Sequence, residues 1–426
     1  MAALKQVVYS QELKEASRLS DQAFSRDRKL PFHVVLLLII NALKGSLADE
    51  LGQFFQAIHR WDVAKRVVTP SAFSQARRKL SHTAFIKLLD VVCRHVNDHA
   101  PLATYKGMRV FAIDGSTMRL PNTQQVRDFF GSSSTAKGKL AMARVSLLFD
   151  VLNRCTFDAL LGNYHVGELS MLWDHFEHAC LPKHHLLLLD RGYFDFTALR
   201  NIVDEGGHFC IRLRANLSIY RTFMKSGSQD MTLSLHPPKR NVNGSPSTSN
   251  FRKSFPVRVV RYQVDKTTYV LMTSLLGAEY TLADLGDLYH ARWQVEESYK
   301  LKKCRLQLEQ ISGVTPEIIL QDFHARILKE ALTTALVLDC QDRVDAINRR
   351  RKHDYKICLT QALANMKNAL ALLFLRPNPV PVIEDLHDIF SVSLIAIEPG
   401  RKYPRNLPKG GTKPQSYSFG YRSNRA

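Results

Sequence analysis

The chain has 426 residues, of which 45% are hydrophobic, and it carries 59 Lys and Arg against 39 Asp and Glu, a formal net charge of +20. That length and apolar content predict a globular protein of two or three domains and exclude an intrinsically disordered chain. The charge predicts a polyanionic partner, and nucleic acid is favoured over a membrane because the longest apolar run, Val34 to Ile40, is too short to span one. The seven cysteines include no Cys-x-x-Cys pair and the N-terminus has no signal-peptide pattern, which predicts a cytoplasmic protein with reduced thiols.

Helical signals run through the first hundred residues. Leu30 to Ala57 repeats apolar blocks at helical intervals, and the segments that begin at Thr69 and Ser81 have the residues typical of a helix start. We therefore predict an all-α N-terminal domain over residues 1–104.

The predicted helix after Thr69 has a basic face formed by Arg77, Arg78 and Lys79. Two short helices with such a face are typical of a helix-turn-helix that reads DNA. The same pattern also fits a helical bundle that covers the rest of the protein. Both interpretations stay open on the sequence.

Residues 105–211 alternate strand-like runs with one helix. Four apolar runs predict strands, and an amphipathic stretch predicts a helix before the last of them: Arg109–Asp114, Ser146–Leu152, Cys155–Leu161, the helix Val166–Ala179, and Leu186–Asp190. This order predicts an α/β domain whose sheet begins antiparallel and continues parallel.

Two of these strands are predicted to end in an aspartate followed by a glycine turn. Asp114 follows four apolar residues and precedes Gly115, and Asp190 follows four leucines and precedes Arg191 and Gly192. The ordinary explanation of such a sequence is turn formation. Two strands that each deliver a carboxylate are also what a metal site requires.

A folded segment must follow Asp190. The next motif that contains an acidic residue lies within residues 285–375, too far along the sequence to be joined by a single loop. The predicted strands are Ile211–Tyr220, Phe255–Gln263 and Lys266–Leu275, and residues 239–250 are a predicted flexible loop. We assign residues 212–284 to a β-rich, basic insertion that holds DNA against the carboxylates.

Residues 285–375 are predicted to be helical and contain the most informative motif of the chain, YHARWQVEESYKLKK. One continuous helix would place four of its residues within an arc of about 60°, namely Tyr289, Arg292, Glu296 and Lys303. A carboxylate among phosphate-binding groups suits metal-dependent phosphoryl transfer. The ordinary alternative is a solvated charged face.

Residues 376–426 are predicted to be a basic tail. From Arg401 onward the chain has seven basic residues and no acidic one. Such a composition cannot build a core, so we expect the tail to lie along DNA or a partner subunit.

Asp114, Asp190 and Glu296, with the residues around the glutamate, resemble the DDE transposases of the insertion-sequence four family. The signature of that family is Y-x2-R-x3-E-x6-K, and the chain matches it at every fixed position. Further matches are Ile113–Ser116, Asp190–Tyr193 and Arg401–Arg405. The resemblance covers the chain from about Leu30 to its end and implies a ribonuclease-H-like catalytic core with a β-rich insertion.

The resemblance also implies an activity and a site. The catalytic residues, which would hold two Mg²⁺ or Mn²⁺ ions, would be Asp114, Asp190 and Glu296. The residues that bind DNA phosphates would be Tyr289, Arg292 and Lys303. The alternative for Arg292 is an ordinary ion pair with Glu296, one turn along the helix.

As a transposase of this family, the enzyme would cleave transposon ends and join the exposed 3′-hydroxyl to target DNA. Its partners would be double-stranded DNA, as inverted-repeat ends and as target, and a second copy of the chain in a homodimeric synaptic complex. The expected location is the bacterial cytoplasm, at the nucleoid when DNA is bound.

Two other functions remain open on the sequence, a related nuclease that hydrolyses DNA without joining it and a non-catalytic DNA-binding protein. Excision through a DNA hairpin also stays open. Family members that use it have a tryptophan in the insertion. The tryptophans of this chain all lie outside residues 212–284, at positions 61, 173 and 293, so Tyr262 or Tyr269 would have to replace it.

Overall fold

The computed structural model describes residues 1–26, 28–41, 45–136, 138–238, 253–264 and 267–397. In chain order the helices of those ranges are α1 (Ala2–Val8), α2 (Gln11–Ser17), α3 (Phe32–Ile40), α4 (Leu47–His59), α5 (Pro70–Arg77), α6 (Thr83–His99), α7 (Gln124–Phe130), α8 (Glu168–His178), α9 (Phe196–Asp204), α10 (Ser218–Ser226), α11 (Leu282–Ala291), α12 (Trp293–Cys304), α13 (Pro316–Asp339), α14 (Gln341–Asn348), α15 (Leu359–Leu375) and α16 (Val380–Val392). The strands are β1 (Arg109–Arg119), β2 (Ser132–Thr135), β3 (Gly138–Asp150), β4 (Cys155–Asn163), β5 (His185–Leu189), β6 (His208–Arg212), β7 (Asp230–Leu235), β8 (Phe255–Val264), β9 (Thr267–Thr273), β10 (Tyr355–Ile357) and β11 (Leu394–Ala396). The loop predicted at residues 239–250 and the basic tail from Arg401, with its Arg401–Arg405 motif, lie outside the described residues.

The chain divides into two compact units. The first comprises Met1–Pro101, Met118–Ala143 and the chain from Leu301 onward, and the second comprises Leu102–Thr117 and Arg144–Lys300. None of the helices in the described ranges is long and apolar enough to cross a membrane.

The second unit is organised around a mixed sheet with the strand order β4-β3-β1-β5-β6-β9-β8-β7. The pairs β1–β5 and β5–β6 are parallel, whereas β6–β9, β9–β8 and β8–β7 are antiparallel. Every residue of β5 is buried, as expected for a central parallel strand that is covered on both faces. A continuous core joins Phe111, Leu187 and Phe209 of the parallel strands to Leu172 of α8 and Leu199 of α9.

The strands predicted before the insertion are confirmed. The four runs correspond to β1, β3, β4 and β5, and the predicted helix between the last two is α8. These strands could be predicted because their apolar residues are contiguous or alternate along the chain. Both patterns can be recognised in the local sequence.

The first predicted strand of the insertion is wrong. Strand β6 ends at Arg212, and the rest of the predicted run enters α10. Helix forms there because Ile219 and Phe223, one helical turn apart, are both buried on the same face. Strand β7 was not predicted, and β7 to β9 extend the sheet through β6 instead of forming a sheet of their own.

The first unit contains the predicted N-terminal helices, α1 to α6. The Thr69 side chain accepts a hydrogen bond from the Ala72 backbone N–H at 3.1 Å and so caps α5, as its sequence predicts. Arg77, at the end of α5, is buried and bonds to Asp322 of α13 at 2.7 Å. A buried, ion-paired Arg77 cannot form part of a DNA-reading face, which favours the helical-bundle alternative, although Arg78 and Lys79 are exposed.

Candidate active site

The two predicted aspartates lie on neighbouring parallel strands. The register of β1 with β5 pairs Val110 with Leu186 and Ile113 with Leu189. Asp114 and Asp190 are the next residues after this last pair. Neighbouring strands are about 4.8 Å apart, so the two carboxylates start from adjacent backbone positions. Strand β1 does not end at Asp114 as predicted, because it continues to Arg119.

The glutamate helix is not the single helix that was predicted. Helix α11 ends at Ala291 and α12 begins at Trp293, with Arg292 between them. The Arg292 N–H donates to the Tyr289 carbonyl at 3.2 Å, a bond three residues back that tightens the last turn of α11. The predicted column of four side chains on one continuous helix is therefore wrong, although Glu296 and Lys303 do share α12.

Two residues of this motif, Tyr289 and Arg292, form hydrogen bonds with the predicted catalytic carboxylates. The Tyr289 hydroxyl donates to Asp190 Oδ1 at 3.2 Å, and Arg292 Nη2 donates to Glu296 Oε1 at 3.0 Å. The Arg292 side chain is only 9% exposed. The contact with Glu296 is the ion pair that the sequence offered as the alternative to phosphate binding.

A further tyrosine joins the glutamate helix to the first aspartate strand. Tyr299, three residues beyond Glu296 on α12, is buried, and its hydroxyl donates to the Asp114 backbone carbonyl at 2.7 Å. This bond fixes α12 against the part of β1 that carries Asp114.

Burial dominates the electrostatics of the first aspartate. It raises the pKa of Asp114 to about 6, against the opposing effects of the Arg292 charge and the Gly115 N–H, and the charges of Glu296 and Glu168 contribute smaller shifts in the same direction as burial. Burial also raises the pKa of Tyr289, so its phenol keeps its proton and remains a donor to Asp190.

A divalent cation fits this donor set. Mg²⁺ and Mn²⁺ prefer carboxylate oxygens, and a bound cation would favour the ionised form of Asp114, which burial disfavours. Within the described ranges, however, no three Asp, Glu, His or Cys side chains already lie close enough together to ligate one ion.

Comparison with known proteins decides the class. Residues 105–328, which contain both aspartates and the glutamate helix, match the family described as the transposase DDE domain. The chain belongs to this family. It is therefore a DDE transposase, and membership implies dependence on a divalent metal ion.

Individual relatives agree with that assignment. The transposase is 22% identical over 313 residues to "Transposase InsG for insertion sequence element IS4" of Escherichia coli (strain K12), which covers 71% of this chain and 69% of InsG. It is 20% identical over 192 residues to "Putative transposase InsZ" of the same strain, which covers 44% of this chain and 62% of InsZ. The resemblance to the insertion-sequence four family is thus confirmed.

Among solved structures, the transposase resembles piggyBac transposase in a synaptic complex with hairpin DNA. The TM-score is 0.48 at 9% identity, over 91% of this chain and 85% of the other. A likeness of that size is too weak to assign a function.

A fourth carboxylate of the transposase, Glu168, was missed by sequence reasoning. It is the first residue of α8, and its Oε1 lies 3.7 Å from Arg144 Nη1. Its charge also helps to raise the pKa of Asp114. An acidic residue in the first turn of a helix is so common that the sequence contained no usable signal.

A cleft of about 690 Å³ opens beside Asp190. It has a basic lining, with Arg191, Arg212 and Arg214 facing the same space as Asp190 and Glu168. Such a lining suits a phosphate backbone that approaches the carboxylates.

The two tyrosines considered for base stacking have different surroundings. The Tyr269 ring lies 4.5 Å from the Arg212 guanidinium and 6.5 Å from the Tyr289 ring. A methyl group added at Gly286 of α11 would lie 2.1 Å from the Tyr262 ring, so Tyr262 packs closely on that helix. Tyr269 is therefore the one beside the site.

The predicted phosphate-binding lysine lies at the far end of the glutamate helix. Lys303 is half-buried, and burial lowers the pKa of its ammonium while the charge of Glu309 opposes the shift. It lies seven residues beyond Glu296, about 10 Å along the axis of α12.

Proposed function

We propose that the transposase cleaves transposon ends and joins the resulting 3′-hydroxyl to target DNA, using two Mg²⁺ or Mn²⁺ ions at Asp114, Asp190 and Glu296. The observation that carries this proposal is the parallel register of β1 with β5, which brings the two aspartates to adjacent positions. The strand order β4-β3-β1-β5-β6 supports a ribonuclease-H-like core for the same segment.

Bound divalent ions would supply activation of the attacking oxygen and neutralisation of the charge on the scissile phosphate. The protein's own part is to orient the carboxylates. Arg292 holds Glu296, Tyr289 donates to Asp190, and Tyr299 ties α12 to the Asp114 carbonyl. Such fixed geometry supplies much of the catalysis in phosphoryl transfer.

The proposed partners are double-stranded DNA, as inverted-repeat ends and as target, and a second copy of the chain in a homodimeric synaptic complex. The proposed place of action is the nucleoid in the bacterial cytoplasm. Short inverted repeats flanking the coding sequence would provide the DNA for a direct test. We expect the full-length protein to nick DNA at the edge of such a repeat when Mg²⁺ is present and not when it is chelated.

Arg292 and Lys303 are expected to behave differently when substituted. Lys303→Ala should weaken binding of the DNA end roughly tenfold or more, with the half-saturating Mg²⁺ concentration unchanged, because it removes one charged phosphate contact. Arg292→Lys should instead raise the half-saturating Mg²⁺ concentration for cleavage, because the guanidinium group whose Nη2 bonds to Glu296 is lost.

Both quantities can be measured on one DNA substrate, binding by fluorescence anisotropy and cleavage against Mg²⁺ concentration. Lys300→Ala, an exposed lysine on the same helix, serves as the control. Weaker DNA binding by Arg292→Lys with an unchanged Mg²⁺ requirement would assign Arg292 to phosphate instead of Glu296.

The basic cleft should make DNA binding depend steeply on salt. Each phosphate contact contributes about −0.9 to the slope of log K against log salt, so Arg191→Ala with Arg214→Ala should reduce the slope by about 2. Arg94→Ala, whose side chain is 65% exposed on α6, is the matched control. An equal slope in the double variant and the control would show that the cleft does not bind the DNA backbone.

A further inference from the structure

Glu168 lies between the two chain segments that carry the aspartates. A methyl group built on the Cα of Gly115, the residue after Asp114, would lie 3.4 Å from Glu168 Oε1. A methyl group built on the Cα of Gly192, two residues after Asp190, would lie 2.7 Å from Glu168 Oε2. The carboxylate therefore approaches the backbone of both segments.

The contact at Gly192 gives that glycine a role other than turn formation. Neither Gly115 nor Gly192 has the positive φ for which glycine is usually selected in turns. At Gly192 a Cβ would collide with Glu168 Oε2, so any other residue there would displace the carboxylate. At Gly115, by contrast, a Cβ would be in ordinary contact with the Glu168 carboxylate.

Pairing with Arg144 does not account for this placement. The distance from Arg144 Nη1 to Glu168 Oε1 is 3.7 Å, which is longer than a hydrogen bond, and the Glu168 side chain is 41% exposed. A partly exposed ion pair of this kind contributes little to stability. The same ion pair could form with the Glu168 carboxylate turned away from the two aspartate-bearing segments, where like charges repel one another.

We propose that Glu168 is a fourth carboxylate of the metal centre, which binds a divalent cation together with Asp114 and Asp190. This inference rests on the proposed function, because it assigns a further ligand to the same ions. Glu168 and Asp190 line the same cleft, so a cation bound between them would face the DNA strand that enters it. Glu296 would be the remaining carboxylate of the site.

The test is Mn²⁺ binding to the full-length protein without DNA. Binding is measured from the decrease in the electron paramagnetic resonance signal of free Mn²⁺. Glu168→Gln keeps the size of the side chain and removes its charge. We expect it to weaken Mn²⁺ binding at least tenfold and to lower DNA cleavage. The matched control is Glu177→Gln, which makes the same change at an exposed position of α8 and should bind Mn²⁺ as the unaltered protein does.

A second pair of variants tests the geometry without altering a charge. Gly192→Ala should displace Glu168 and reproduce the loss of Mn²⁺ affinity, whereas Gly167→Ala places its methyl group in open space beside Glu168 and should not. If Glu168→Gln fails to fold by circular dichroism, Glu168→Asp replaces it. Its shorter carboxylate should still raise the half-saturating Mn²⁺ concentration for cleavage.

The outcomes separate this inference from the proposed function. If Asp114→Asn and Glu296→Gln lose Mn²⁺ binding and cleavage while Glu168→Gln and Gly192→Ala match their controls in both, the inference is overturned and the proposed function stands. If Asp114→Asn and Glu296→Gln cleave DNA normally, the proposed function itself fails.

Discussion

Asp114→Asn, Asp190→Asn and Glu296→Gln are each expected to lower DNA cleavage on the order of 10³-fold or more, while DNA binding stays within about threefold. Each variant keeps the shape of the side chain and removes a charge that the metal ions need. Binding survives because it depends on the basic residues and not on the carboxylates. Cleavage of end-labelled DNA and anisotropy on the same fragment measure the two quantities.

Glu297→Gln is the control for this series. Glu297 is adjacent to Glu296 on α12 but exposed and paired with Lys300, so its loss should leave cleavage unchanged. Cleavage that persists in any one of the three site variants would remove that residue from the metal centre.

The same series has a consequence for stability. The pKa of Asp114 is about 6 in the folded protein against an ordinary 3.8, so the folded state holds its proton more tightly than the unfolded state does. Stability must then fall as the pH rises through that interval, because ionisation is penalised only in the folded state. Asp114→Asn should therefore melt at a higher temperature than the unaltered protein at pH 7 in chelator.

Lys302→Met is expected to destabilise the first unit by about 3–5 kcal/mol. The Lys302 ammonium is 0% exposed and bonds to Glu330 of α13 at 2.9 Å, where Glu330 is 1% exposed. Removing the lysine leaves the buried Glu330 carboxylate without this cation. The resulting loss of folding free energy is far larger than the net contribution of the intact pair. Because Lys302 lies on the helix that carries Glu296, cleavage should be lost at a lower temperature as well.

Thermal melting of matched variants measures this effect. Lys300→Met removes an exposed lysine from the same helix, and its pair with Glu297 should contribute less than about 1 kcal/mol. The double variant Lys302→Met with Glu330→Met should recover most of the lost stability, since it removes both buried charges. Equal melting temperatures for Lys302→Met and Lys300→Met would show that the buried pair of Lys302 and Glu330 matters no more for stability than an exposed pair.

The sequence predicted those features of the site that depend on local pattern. Asp114 and Asp190 were found because each follows a contiguous apolar run, and such runs form central strands whatever surrounds them. The motif around Glu296 was found by its spacing. The parallel pairing of β1 with β5 agrees with the predicted sheet that begins antiparallel and continues parallel, although the sequence did not predict which strands are neighbours.

The features that the sequence did not predict depend on contacts between distant residues. The break at Arg292 is invisible to helical periodicity, since Arg292 itself fits the pattern. Arg77 resembles a surface residue of a basic helix, but it is buried against partners distant in sequence, among them Gln321 and Asp322 of α13. Glu168 approaches the segments that carry Asp114 and Asp190 through contacts with Gly115 and Gly192, which are distant from it in sequence.

Strand transfer from a pre-cleaved end is the direct test of whether this chain joins DNA as well as cutting it. Full-length protein is incubated with a DNA fragment that exposes the 3′-hydroxyl at the element's inverted repeat, with plasmid target and Mg²⁺. We expect covalently joined product, which is absent in chelator and in Glu296→Gln but present in Glu297→Gln. Metal-dependent hydrolysis of the DNA without any joined product would contradict it and would identify a nuclease instead.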